Sequence, residues 1–215
     1  MKKLIEGVSK FQRDVYPRQR QLFERLAQKQ QPSALFITCS DSRIDPTLIT
    51  QTMPGELFIC RNVGNMVPAH GEVAGGVSAT IEYAVMALKV KAVIVCGHSG
   101  CGAMHGLLSP EKVASMPSVA SWLKYGETAR FVVEQNYTGL PTEQRLVAIT
   151  EQNVIAQINN LKTHPGVAAA VQRGDLELHG WYYEIETGAV SAFSPGARQF
   201  VPVGEEVAIV AGKSE

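Results

Sequence analysis

Lys91-Ala-Val-Ile-Val-Cys96-Gly97-His98-Ser-Gly-Cys101-Gly102 runs from an unbroken apolar stretch straight into a glycine-punctuated turn. Residues 92–96 are of strand length and offer no polar side to water, so this strand is buried on both faces. Residues 34–38 repeat the arrangement and lead into Cys39-Ser-Asp-Ser-Arg43, and residues 56–60 give a further strand. Helical signals lie between them. Asp45-Pro46 reads as an N-cap with proline at the first helical position, and residues 79–88 form a helix entered through Gly75-Gly76. Apolar strands alternating with helices specify an α/β fold with a mostly parallel central sheet flanked by helices. Pro117, Gly126, Gly139 and Pro141 divide a later helical stretch, whose longest piece covers residues 142–161. Residues 176–184 alternate instead, and pair with residues 189–193 across Glu186-Thr187-Gly188 as an antiparallel edge strand.

Before the first strand, residues 1–30 make a helical arm rich in Lys, Arg, Gln and Glu. Phe11, Val15, Leu22, Phe23 and Leu26 recur there at helical spacing, and Pro17 divides the arm into two helices. Such a stripe needs another surface, either the domain or a second subunit. Repeats, low-complexity tracts and a linker are absent, so residues 1–215 read as one domain with a tail from 194 to 215.

Composition narrows the function. The chain has 215 residues, 45% of them hydrophobic, which is enough for one sizeable core. Lys+Arg and Asp+Glu both number 20, and that balance argues against nucleic-acid and anionic-membrane partners. No apolar stretch reaches membrane-spanning length, and the first residues lack the apolar core of a secretory signal. The four cysteines have neighbours that favour a reduced, cytoplasmic setting over disulfides.

Two thiols and an imidazole are the donors zinc prefers, and three protein ligands leave a tetrahedral ion one free position for chemistry. Cys39 and His98 stand at strand ends, on the edge where open α/β sheets collect ligands, and His98-x-x-Cys101 supplies a local pair. Cys60 and Cys96 lie inside apolar strands and read as buried, inert thiols. Cys96 competes with Cys101 for the metal, but Cys101 lies beyond the strand between Gly100 and Gly102, where its sulfur can turn to a cleft. Two thiolates neutralise the ion. It is then a weaker Lewis acid than one held by three imidazoles, whose bound water has a pKa of about 7. Activity is therefore expected to rise toward mildly alkaline pH. Asp41 paired with Arg43 stays ionised and accepts a hydrogen bond from the attacking water. Alternatively, Asp41 swings onto the metal and closes the site.

Cys39-Ser-Asp-Ser-Arg43, Arg61-Asn-Val-Gly-Asn65, Ile81-Glu-Tyr-Ala84, Leu88-Lys-Val90 and Gly97-His98-Ser-Gly-Cys101-Gly102, with the late His179-Gly-Trp181, resemble the β-class carbonic anhydrases. The resemblance runs from the arm to about residue 193. It implies one zinc ion per subunit on Cys39, His98 and Cys101, with Asp41 and Arg43 as the catalytic dyad. The reaction it implies is reversible hydration of carbon dioxide to bicarbonate and a proton. In the plant-type subclass an apolar pocket is lined by residues that match Gln30, Phe58, Val63 and Tyr83. There they come partly from a neighbouring subunit, which implies a homodimer as the minimal unit, built into a higher homo-oligomer, with the arm wrapped on the partner. Another subclass closes its zinc with the aspartate beside an inhibitory bicarbonate; Gln30 and Gly75-Gly76 resemble the open, plant type more.

The arm and residues 174–181 also resemble the cyanobacterial carboxysomal branch. Members of that branch can carry a long C-terminal extension, of which a chain ending at Glu215 has at most a short version, so the carboxysome is the alternative location. His105 and His70 are candidates for the proton relay, or else ordinary surface histidines; His164 and His179 read as structural. Two rivals stay open: hydrolysis of carbon disulfide or carbonyl sulfide on the same fold, and a non-catalytic zinc or bicarbonate-binding protein.

Overall fold

The computed structural model describes residues 1–72 and 75–204. The chain divides into two compact units, Met1–Gln31 and Pro32–Glu215. In the first, α1 (Lys2–Lys10) continues through a π-helical turn over Phe11–Val15 and a 3₁₀ turn over Tyr16–Gln19 into α2 (Arg20–Leu26). Pro17 sits in the 3₁₀ turn, where its fixed φ and missing N–H separate the two helices as expected. Phe11 meets Phe23 and Tyr16 edge-on, with ring centroids 5.7 and 6.3 Å apart. None of the arm's helical residues is buried, and Leu4, Ile5 and Val8 are 66%, 61% and 57% exposed along one stripe. A short amphipathic helix draws most of its stability from packing that stripe, which the arm's own residues do not supply.

The second unit is built on a six-stranded sheet. In chain order its elements are β1 (Ala34–Cys39), α3 (Pro46–Thr50), β2 (Leu57–Asn62), α4 (Gly76–Glu82), β3 (Ala92–His98), α5 (Gly102–Leu108), α6 (Pro117–Leu123), α7 (Glu127–Asn136), α8 (Thr142–Thr163), α9 (Pro165–Gln172), β4 (Glu177–Tyr183), β5 (Val190–Ser194) and β6 (Gln199–Pro202). The strand order is β2-β1-β3-β4-β5-β6, parallel from β2 to β4 and antiparallel beyond. The fully apolar runs take the centre: β1 is buried throughout and β3 nearly so, whereas β2 forms an edge and is half exposed.

Alternate strand residues feed two cores. Leu35, Ile37, Val93 and Val95 pack with Val154, Ile158 and Leu161 of α8, while Phe36, Ile94 and Cys96 cluster with Trp181 on the other face. Gly97 and Gly180 let α8 come close. A Cβ at Gly97 would lie 2.8 Å from Thr150 Cγ2, and one at Gly180 would lie 2.6 Å from Ile158 Cδ1. Asp45 caps α3 as its sequence predicts, accepting from the Thr47 and Leu48 amides.

Most boundaries shift by a residue or two, and three differences matter for the architecture. β2 starts one residue later and runs on to Asn62, and the fourth helix begins at Gly76 and passes into a π-helical turn over Tyr83–Ala87. The antiparallel edge has two strands instead of one, because residues assigned to the tail form the end of β5 and all of β6. Pro202 spoils β6 as a central strand, yet an outermost strand tolerates it. Residues 205–215 of the tail lie outside the described residues.

Candidate metal centre

β1 and β3 are parallel neighbours paired up to Thr38 and Cys96. Their C-terminal ends therefore place Cys39 and His98 side by side, and the turn after β3 returns Cys101 at the N-cap of α5. Among the described residues these three form the one group of His, Cys, Asp and Glu side chains able to hold a metal, with all ligand atoms within 4.8 Å of one another. The two sulfurs are 4.0 Å apart. A tetrahedral ion with zinc–sulfur bonds of about 2.3 Å sets its ligands about 3.8 Å apart, so the spacing fits zinc. His98 supplies the second test. Its Nδ1 is 2.9 Å from Ser99 O, which fixes the proton on that nitrogen, and its buried Nε2 has no partner. A fully buried imidazole nitrogen with its lone pair unused calls for a Lewis acid.

The sulfurs are polarised toward the same end. The Cys101 thiol donates to the Cys39 sulfur, and the Gly64 amide adds to the effect, lowering the Cys39 thiol below its ordinary value. Cys101 is pushed up, first by that shared proton and then by burial. Cys96 stands apart, on the face of Phe36 and Ile94, where burial raises it to about 12, and burial also raises Cys60. The preference for Cys101 over Cys96 is thereby resolved by strand position: Cys96 is still inside β3, its thiol on the Gly97 carbonyl.

Asp41 faces the open side, its Oδ2 3.9 Å from His98 Nε2. Arg43 grips both carboxylate oxygens, Nε to Oδ1 at 2.9 Å and Nη2 to Oδ2 at 2.7 Å, while its backbone N–H also reaches Oδ1. These hydrogen bonds hold the Asp41 carboxyl far below the ordinary carboxylate range. The same Nη2 reaches Gly100 O, tying the dyad to the His98–Cys101 turn. Arg61, in the Arg61–Asn65 segment, carries no role that the sequence alone assigns. Its guanidinium clamps the Cys39 and Asp41 carbonyls at 3.0 and 2.6 Å and so sets the loop that carries both side chains.

The four expected pocket residues separate. Val63 adjoins the cluster, on the wall of a ≈ 400 Å³ cavity shared with Ser40, Val119 and Trp122. Phe58 and Tyr83 pack together with ring centroids 6.0 Å apart, but elsewhere. Cys39 pairs with Asn62 in the sheet, four residues beyond Phe58, and at 3.3 Å per residue that is about 13 Å. Gln30 belongs to the first unit, in the exposed segment after α2.

Residues 34–190 match the family described as carbonic anhydrase. The chain belongs to the β-carbonic anhydrase family. It is 49% identical to a carbonic anhydrase of Pseudomonas aeruginosa, covering 99% of this chain and 97% of that one. The solved β-carbonic anhydrase CcaA superimposes with a TM-score of 0.94 at 44% identity, over 96% of this chain and 93% of that one. A tetrameric β-carbonic anhydrase from Sordaria macrospora gives 0.80 at 31% identity, over 89% and 97%. The enzyme's cofactor is zinc, and its donor set suits that ion. His105 and His70 are exposed, His164 is buried with Nε2 on Pro68 O, and part-buried His179 has Nε2 3.2 Å from Glu177 Oε2.

Proposed function

We propose that this chain catalyses the reversible hydration of carbon dioxide to bicarbonate and a proton, with Cys39, His98 and Cys101 as zinc ligands. The observation that carries the reading is an ionised acceptor, Asp41, held by Arg43 at the unligated side of a three-donor cluster. Zinc bound there supplies the Lewis acidity that makes water a nucleophile near neutral pH. Asp41 would accept a hydrogen bond from that water and so turn the water oxygen's free lone pair toward the substrate carbon. Arg43 fixes the carboxylate's orientation and keeps it ionised. Val63 gives the substrate an apolar wall, and the role that the family resemblance implies for Gln30 is to donate to the oxygen on which charge develops. Proton release falls to His105 or His70. The four free thiols suit the cytoplasm.

Purified enzyme should contain one zinc per subunit and hydrate carbon dioxide while leaving carbon disulfide and carbonyl sulfide untouched. Turnover of either sulfur compound at a comparable rate would favour the rival hydrolase.

Phe58 and Tyr83 enter through a homodimer. Phe58 lies too far along β2 to line its own subunit's cluster, Tyr83 packs on Phe58, and the arm's uncovered stripe offers a partner a surface. Charge favours the pairing: residues 1–31 carry eight Lys or Arg against three Asp or Glu, and the rest of the chain carries twelve against seventeen. Complementation tests it. Co-expressed Cys101→Ser and Phe58→Ala/Tyr83→Ala chains, each inactive alone, should regain roughly a quarter of wild-type activity, because half of randomly mixed dimers hold one intact site. No gain over the separate chains would put the pocket within one subunit.

A further inference from the structure

The metal cluster accounts for Cys39, His98, Cys101, Asp41 and Arg43, but it leaves unexplained a row of amides buried on α8. Asn153, Gln157 and Asn160 follow one another at i, i+4 and i+7 on a helix whose other buried residues are, Thr150 apart, apolar, and the first two are fully buried. Burying amides in an apolar core is costly unless their hydrogen-bonding groups are matched. Here they are matched by one loop, by the Tyr125 carbonyl and by one another. Gln157 Oε1 accepts from the Val67 N–H at 2.7 Å, and Asn160 Nδ2 donates to Val67 O at 2.8 Å. Asn153 Nδ2 donates to Gly64 O at 3.1 Å. Gln157 Nε2 bridges Asn153 Oδ1 at 2.9 Å and Tyr125 O at 3.0 Å, so the ladder braces itself.

The loop held this way carries a donor aimed at the cluster. The Gly64 N–H points at Cys39 Sγ, 3.4 Å away. Gly64 has φ +77, and a Cβ there would lie 2.7 Å from Ala103 Cβ, so the backbone reaches this position only because the residue is glycine. The Gly64 peptide is thus gripped at both ends of the residue, its N–H on a metal-ligand sulfur and its carbonyl on Asn153.

We propose that Asn153 is a positioning residue for zinc, which holds the Gly64 N–H against the Cys39 sulfur and so limits how much charge that thiolate donates to the metal. This rests on the reading of Cys39 as a ligand. A hydrogen bond to a thiolate lowers the energy of its lone pairs, leaving the bound ion more electron-poor and a stronger Lewis acid. The centre carries two thiolates, so it has most need of such withdrawal.

Cobalt-substituted enzyme reports this directly, through its thiolate-to-cobalt charge-transfer band. Asn153→Ala should move the band to longer wavelength and cut kcat/KM at pH 7 by about 10-fold, with activity recovering at higher pH. Asn160→Ala is the matched control, since it removes a rung of the same ladder that does not touch Gly64. It should lower Tm but leave the band and the pH profile in place. Equal behaviour of the two variants, with the band unmoved, would overturn the proposal and leave the ladder a structural brace. Absence of any thiolate band in the wild type would instead overturn the assignment of Cys39 itself. Asn153→Leu, which fills the same space without a donor, replaces the alanine variant if that fails to fold. Independently of any variant, the Gly64 amide of cadmium-113 wild-type enzyme should show coupling to the metal across the hydrogen bond, and its absence would count against the proposal.

Discussion

Cys101→Ser is expected to empty the metal centre and abolish carbon dioxide hydration, while Cys96→Ser leaves both metal and activity intact. The two cysteines are five residues apart and flank the same histidine, so the pair of variants isolates position from residue type. Cys101 lies within 4.8 Å of the other ligand atoms, at the mouth of α5. A serine hydroxyl there is neither soft nor deprotonated at neutral pH, and the ion would keep only two good donors. Cys96 is fully buried with a thiol that stays protonated, so its replacement costs packing and a polar group in the core, on the order of 1–3 kcal/mol. Metal content by atomic emission and hydration rate by stopped flow separate the cases. A Cys101→Ser enzyme retaining one zinc per subunit and full turnover would remove that residue from the ligand set. Loss of zinc in Cys96→Ser would put the wrong sulfur on the metal.

That the sequence distinguishes these cysteines at all reflects how a parallel sheet is written. A buried central strand needs an unbroken apolar run, and the glycines after it mark where the chain leaves the sheet. Cys96 belongs to the run and Cys101 to the turn. The same logic picks out Cys39 at the end of its run and lets the two segments converge if their strands are neighbours, as β1 and β3 are. It fails at the sheet's margins. β6 is four residues long and ends in proline, so local pattern carries almost no signal for it, and its pairing depends on β5 being present first.

Arg61 and Gly64 illustrate a different limit. The contacts that matter there run from a side chain to distant carbonyls, and from a backbone N–H to a sulfur 25 residues earlier. Neither has a periodicity. A glycine inside Arg61-Asn-Val-Gly-Asn65 signals an unusual backbone, but what that backbone points at requires coordinates. The pocket residues show the limit at its widest. Phe58 and Tyr83 look like neighbours of the site only by family resemblance; within one chain Phe58 stands about 13 Å along β2 from the residue that pairs with Cys39, and Tyr83 packs on Phe58.

Asp41→Ala should leave zinc fully bound yet lower kcat/KM by about 10² to 10⁴-fold, the range for loss of a positioned proton acceptor. The Asp41 carboxylate is not one of the three donors: its Oδ2 stands 3.9 Å from His98 Nε2. Its role is directional. With Oδ1 and Oδ2 both engaged by Arg43, the carboxylate has little rotational freedom and keeps one edge toward the cluster. Arg43→Gln is therefore predicted to be milder than Asp41→Ala. Without the guanidinium the carboxyl returns toward its ordinary value of about 4, still ionised at pH 7, so only orientation is lost. The sign for stability follows from the depressed native value. The pair's contribution is present above the unfolded carboxyl pKa and disappears as pH falls through the lower native one, so Asp41→Ala should weaken the fold at neutral pH and converge with wild type in strong acid. Wild-type activity should rise from about pH 7 to about pH 9, because two thiolates neutralise much of the ion's charge. A profile already flat at pH 6 would contradict that charge balance. Unchanged turnover in Asp41→Ala, with zinc in place, would show that the attacking water is oriented by something other than this carboxylate.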